Sequence, residues 1–165
     1  AQRLEAIAVL SRAGYPIRVR FSPIVPVRDW PTVYEDLISR IVSAVGDGRL
    51  EMVTLWTLSM IELSELGRIL DFEELDPAIL EAARAAESSL RGTKGAPFPQ
   101  KTRIELYRKI AQLIRDATPS TLVSLCLESE EVWSELADLV VPRQSRSFLC
   151  NCGPRATSEI LETVS

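Results

Sequence analysis

Between Gly14 and Trp30 the chain reads GYPIRVRFSPIVPVRDW, a helix stop followed by a strand whose two faces differ in chemistry. Ile17, Val19 and Phe21 alternate with Arg18, Arg20 and Ser22. A period of two therefore places three apolar side chains on one face and two guanidiniums with a hydroxyl on the other. Such a strand needs an apolar layer on one side and lines a polar site on the other. Pro23 and Pro26 have no amide hydrogen for a ladder, so pairing is expected to fade there and leave residues 22–29 as a loop. Loops at the carboxyl ends of strands carry the chemistry of α/β barrels.

Helical and strand patterns alternate along the rest of the chain. A helix over residues 2–13, with Leu4, Ile7 and Ala8 on one stripe, is stopped by Gly14. The strand of residues 17–25 leads to a helix over 31–45. Thr32 and Glu35 fit a capping box there, and Val33, Leu37, Ile38, Ile41, Val42 and Val45 make the buried stripe. LEMVTLWTL, rich in β-branched and aromatic residues, reads as a second strand over 50–58. Helices follow over 61–70 and 77–90, the latter with Asp76 as N-cap and Pro77 in its first turn. The punctuated basic segment RGTKGAPFPQK precedes a helix over 101–116, then a strand over 120–127 and a helix over 129–139. A terminal helix is expected near 158–164. Strands alternating with helices argue for α/β architecture made of parallel βα units. Three strands are about half of what an eight-stranded barrel of roughly 250 residues contains, so the pattern predicts a partial, incomplete TIM-type barrel over residues 1–142 and a Cys-containing tail over 143–165.

The chain has no histidine, which excludes imidazole acid/base catalysis, Ser/His triads and His-ligated metal within it. It has neither a G-x-G-x-x-G nor a Walker loop. It opens inside a helical pattern without an initiator Met, a signal-type leader or an apolar run able to span a bilayer, which reads as an internal piece of a cytoplasmic protein. The net charge of −4 conceals an asymmetry. Nine acids face only Arg68 and Arg84 between Glu51 and Glu87, whereas Arg91, Lys94, Lys101, Arg103, Arg108 and Lys109 are opposed by Glu105 alone. Two solvated faces of opposite sign explain this. A loop rich in Gly and Pro and carrying Lys94, Lys101 and Arg103 also suits contact with phosphates.

Inward-facing Arg18 and Arg20 would offer rigid bidentate donors to a carboxylate or phosphate; as edge charges they would simply face water. Ser22, Thr57 and Ser59 stand at strand ends, where a hydroxyl either meets a ligand or caps the next helix. Trp56 reads as core, and the acids Asp71, Glu73, Glu74 and Asp76 as a solvated turn. The odd count of three cysteines disfavours a disulfide framework. Cys126, on an apolar strand, reads as a small hydrophobe or a metal ligand. Cys150 and Cys152, in C-N-C-G-P, can present two thiolates to one metal, and a further ligand would have to come from an Asp, a partner or an open position.

Helix then AGYP, strand then SPIVP, DW with Tyr34, TLWTLS, a helix with Leu106-Tyr107-Arg108, LCLESEEVW and the terminal CNCGP together resemble the carboxyl-terminal half of spore photoproduct lyases and related DNA-repair radical-SAM proteins. The resemblance implies a lyase that reverses a thymine crosslink, using S-adenosylmethionine reduced by a [4Fe-4S] cluster. It implies a cofactor wall at Ser22, Thr57 and Ser59, to which periodicity adds Arg18 and Arg20, and a DNA-facing surface near Lys94 and Lys101. The C-x-x-x-C-x-x-C cluster loop of that family does not occur in this chain. The cluster would therefore come from an amino-terminal half, with this half inactive alone. Two other readings stand beside it: a non-catalytic α/β binding or interaction module with a metal- or partner-binding C-x-C tail, and a radical-SAM enzyme acting on something other than DNA.

Overall fold

A computed structural model describes residues 2–141. Cys150, Cys152 and the expected terminal helix lie outside the described residues. Helix α1 spans Gln2–Arg12, strand β1 Ile17–Ile24, helix α2 Trp30–Val45 and strand β2 Leu50–Thr57. A short α3, Leu63–Leu66, and a 3-10 turn, Phe72–Glu74, lead to α4, Pro77–Leu90, and α5, Gln100–Ala117. Strand β3, Leu122–Leu125, and helix α6, Glu130–Glu135, complete the described chain. The three strands form one parallel sheet in the order β1-β2-β3. The chain is thus α/β with a small open sheet. No helix among the described residues is long and apolar enough to cross a membrane.

Strand alternation sorts the sheet into two unlike faces. Ile17 and Phe21 of β1, Val53 and Leu55 of β2, and Val123 and Leu125 of β3 pack on Ile38 and Ile41 of α2 and on Ile110 and Ile114 of α5. Arg18, Arg20, Met52, Thr54 and Ser124 alternate with these and belong to the opposite face. There the buried Thr54 and Ser124 hydroxyls bond each other at 2.9 Å. A second cluster, Leu63, Leu66, Leu75, Leu80, Ala83, Phe98 and Leu106, joins the segments between β2 and α5.

Pairing of β1 with β2 is irregular between Phe21 and Ile24, where Pro23 interrupts the amides. Tyr34 closes this gap: its hydroxyl accepts the Val25 N–H at 3.0 Å while its ring meets Phe21 at 5.8 Å between centroids. Burial pushes the Tyr34 phenol above its ordinary pKa.

Several boundaries differ from expectation. The Thr32/Glu35 box does not form, because Asp29, in a left-handed conformation at φ 53°, starts α2 at Trp30 without a side-chain cap. The inward stripe is then Tyr34, Ile38, Ile41 and Val45, and Val33 is left 46% exposed. Asp76 does cap α4, accepting the Ala78 and Ile79 amides, with Pro77 in the first turn. Helix α3 is one turn long, and β3 and α6 are shorter than their patterns suggest.

Candidate functional site

Parallel strands direct their following loops to one edge, and at the carboxyl edge of β2 and β3 those loops enclose a cavity of about 480 Å³. That volume lies within the roughly 300–1,000 Å³ usual for small-molecule sites. Its wall includes Ser59 after β2, Lys94 and Gly95 from the basic loop, Arg103 of α5, and Glu128 and Trp133 beyond β3. Met60 and Leu127, at φ 60° and 58°, turn the chain sharply after the two strands and stand on the rim, 56% and 64% exposed. Left-handed backbone at non-glycine residues is costly and concentrates at functional sites.

Beneath the cavity lies a buried ionic network. Arg103 Nε donates to Glu128 Oε1 at 3.1 Å, and Arg103 Nη2 donates to Oε2 at 3.3 Å. The two side chains are only 9% and 4% exposed. Arg103 Nη1 donates to the carbonyls of Phe98 at 2.9 Å and Gly95 at 3.5 Å, tying the basic loop to α5. A Cβ on Gly95 would lie 2.7 Å from Nη1, so any side chain there would displace the guanidinium. Tyr107 Oη donates to Glu128 Oε1 at 2.7 Å and accepts the Thr57 N–H at 3.0 Å, so β2, α5 and the end of β3 share one hydrogen-bonded chain.

Burial, followed by the neighbouring Glu128 carboxylate, drives the Tyr107 phenol far above its ordinary pKa. The fold thereby holds it as a neutral donor. The shift is upward, so its contribution to stability is complete below the unfolded phenol pKa of about 10 and is lost as pH rises beyond it. Tyr107→Phe is expected to cost about 1–3 kcal/mol, because the Thr57 amide loses its acceptor inside the core. The mutant should also lose part of the wild type's decline in stability above about pH 10, which urea titrations at neutral and alkaline pH would show.

The structure disperses some of the expected site residues. Arg18 sits near the amino end of β1, where Nε meets the buried Glu51 at 2.5 Å. That position is at the edge opposite the cavity. Arg20, level with Thr54, reaches across the sheet to donate to Cys126 Sγ at 3.1 Å. Ser22 is exposed near the end of β1, outside the cavity wall. Thr57 shares the helix-covered face with Val53 and Leu55, is fully buried, and is engaged by Tyr107. Ser59 does line the cavity, its Oγ accepting from Trp56 Nε1 at 2.9 Å. Lys94 and Lys101 are exposed, but Arg103 is buried in its ion pair and presents no outer surface to a polyanion.

Glu128, Ser129 and Trp133 were not singled out by sequence reasoning as site residues. The available signal was their place directly after an apolar strand. Among the described residues no three His, Cys, Asp or Glu side chains converge to hold a metal ion, and Cys126 is a buried free thiol. The described residues therefore do not fit an iron-sulfur cluster. Ser59 and Lys94 do suit the polar groups of a small cofactor. No family model, curated protein or solved structure matches the chain.

Proposed function

We propose that the chain is the carboxyl-terminal half of a radical S-adenosylmethionine DNA-repair lyase of the spore-photoproduct-lyase type. It contributes part of the cofactor and substrate wall, and its amino-terminal half contributes the cluster loop. The observation that carries this reading is the strand order. Three successive parallel strands joined by helical crossovers, in the order β1-β2-β3 with no reversal, are what a sector of a (β/α) barrel contains. A polar sheet face with Arg20, Thr54 and Ser124 opposite a helix-covered apolar face agrees with an inner barrel wall. Within this chain Ser59 and Lys94 orient polar cofactor groups at the strand ends, and the exposed Lys101, outside the cavity wall, supplies cationic surface for DNA. A cluster held by the amino-terminal half would supply the radical chemistry with S-adenosylmethionine. Anaerobic iron and acid-labile sulfide analysis of the full-length protein tests the reading. About four of each per chain is expected; a full-length protein that takes up neither under reconstitution would contradict it and favour a non-catalytic binding module.

A further inference from the structure

We infer that the cavity between the ends of β2 and β3 binds a small organic oxyanion. Its charged head meets Arg103, Lys94 and the Ser59 and Ser129 hydroxyls, and its apolar body lies against Trp133, Leu127 and Met60. The inference rests on this chain's own residues and stands whether or not the radical reading holds.

The cavity wall holds more donors than acceptors. A guanidinium carries five N–H groups. In Arg103, Nε–H and one Nη2–H go to Glu128, and the two Nη1–H groups have the Phe98 and Gly95 carbonyls. One Nη2–H remains without an acceptor among the described residues, on a side chain that is only 9% exposed and lines the cavity. A buried donor left unmatched is costly, so an acceptor belongs in that space. Ser59 Oγ accepts from Trp56 Nε1, and Ser129 Oγ accepts from the Val132 N–H at 3.4 Å, so each hydroxyl has its own O–H to give. Lys94 is exposed at the cavity and is ion-paired with no carboxylate among the described residues.

Acceptors are scarce by comparison. Both oxygens of Glu128, the one carboxylate of the wall, are engaged by Arg103, and Tyr107 adds a further bond to Oε1. Two cations against one carboxylate leave the wall with a net positive charge. A cationic ligand is therefore disfavoured, and a neutral one would leave the lysine and the guanidinium N–H unanswered. An oxyanion satisfies them with charge-assisted bonds.

The backbone that carries Lys94 and Gly95 is held in place before any ligand arrives. The loop bearing Lys94 is fixed by the Met60 N–H to the Lys94 carbonyl at 3.2 Å and by the Gly92 N–H to Glu62 Oε1 at 2.7 Å. Such preorganisation limits the entropy lost on binding. The enclosed volume suits a small molecule rather than a polymer.

Phosphate and carboxylate share this chemistry, so the test uses phenyl phosphate, benzoate and uncharged benzyl alcohol, titrated into the ¹⁵N-labelled full chain. At least one anion is expected to shift the Ser59, Gly95 and Ser129 amides and the Trp133 indole saturably, and to bind about tenfold or more tightly than the alcohol. Comparison of the two anions identifies the head group. Lys94→Ala should weaken the anion about tenfold and leave the alcohol unchanged, whereas Arg40→Ala, a charge-matched change on the solvent side of α2, should alter neither. Equal binding of anion and alcohol, equal losses from the two variants, or no shift at these residues up to the order of 10 mM would overturn the assignment.

Discussion

Glu128→Ala is expected to destabilise the protein by about 3–5 kcal/mol, the usual cost of removing one partner from a buried ion pair. The Glu128 and Arg103 side chains are 4% and 9% exposed, so truncation strands a guanidinium in a poorly solvated place. The same change removes the acceptor of the Tyr107 hydroxyl, whose oxygen also holds the Thr57 amide of β2. Urea unfolding followed by circular dichroism would measure the loss. Replacing both partners separates the pair's worth from the penalty of orphaning one charge. Arg103→Met with Glu128→Leu should recover the part due to the stranded charge, since apolar replacement of a buried pair is often neutral or stabilising, and leave the part due to the Tyr107 hydroxyl and the Phe98 and Gly95 carbonyls, which lose their partners. A loss below about 1 kcal/mol in the single mutant would show that the pair behaves as a surface ion pair.

Phe98→Ala should cost a similar amount, about 3–5 kcal/mol, for a different reason. Phe98 is fully buried in the second apolar cluster, against Leu63, Leu66, Leu75, Leu80, Ala83 and Leu106. It is the apolar anchor of the loop that carries Lys94, and its own carbonyl accepts from Arg103. The cavity left by alanine therefore loosens the basic loop as well as the core. Hydrogen exchange at residues 92–95 is expected to accelerate more than at the strands β1 and β2. Phe98→Leu, which keeps most of the volume, should lose about 1.5 kcal/mol or less and retain the loop's protection. Unchanged exchange in Phe98→Ala would mean that the loop is held without its anchor.

What could be read from the chain was what local chemistry decides. Asp76 and Pro77 begin α4 as expected because a capping carboxylate needs only the two amides that follow it. The two faces of β1 follow from strict alternation. Boundaries set by distant partners were not legible. Helix α2 starts at Trp30 because Asp29 adopts a left-handed turn, and Tyr34 points inward because β1 leaves an unpaired amide at Val25. Thr57 reads as available because it stands at the end of β2, and β2 is buried on both faces, which hides the parity placing it with Val53 and Leu55. Arg103 read as a surface cation because its partner, Glu128, lies 25 residues away. A sequence shows that a charge is present, and only the fold shows whether another charge has enclosed it.

The same limit applies to the cavity. Ser59 and Lys94 were identified from strand-end position and basic composition, yet the feature that joins them is the buried Arg103–Glu128–Tyr107 network beneath. That network fixes the carboxyl edge of β2 and β3, where the proposed reading needs a wall of polar groups facing a reactive centre supplied by other chain. The most direct measurement is formation of 5′-deoxyadenosine from S-adenosylmethionine by the reduced, reconstituted full-length protein. It is expected to accumulate with the amino-terminal half present and not with residues 1–165 alone. A cluster-loaded full-length protein that leaves S-adenosylmethionine intact would contradict the proposed reading.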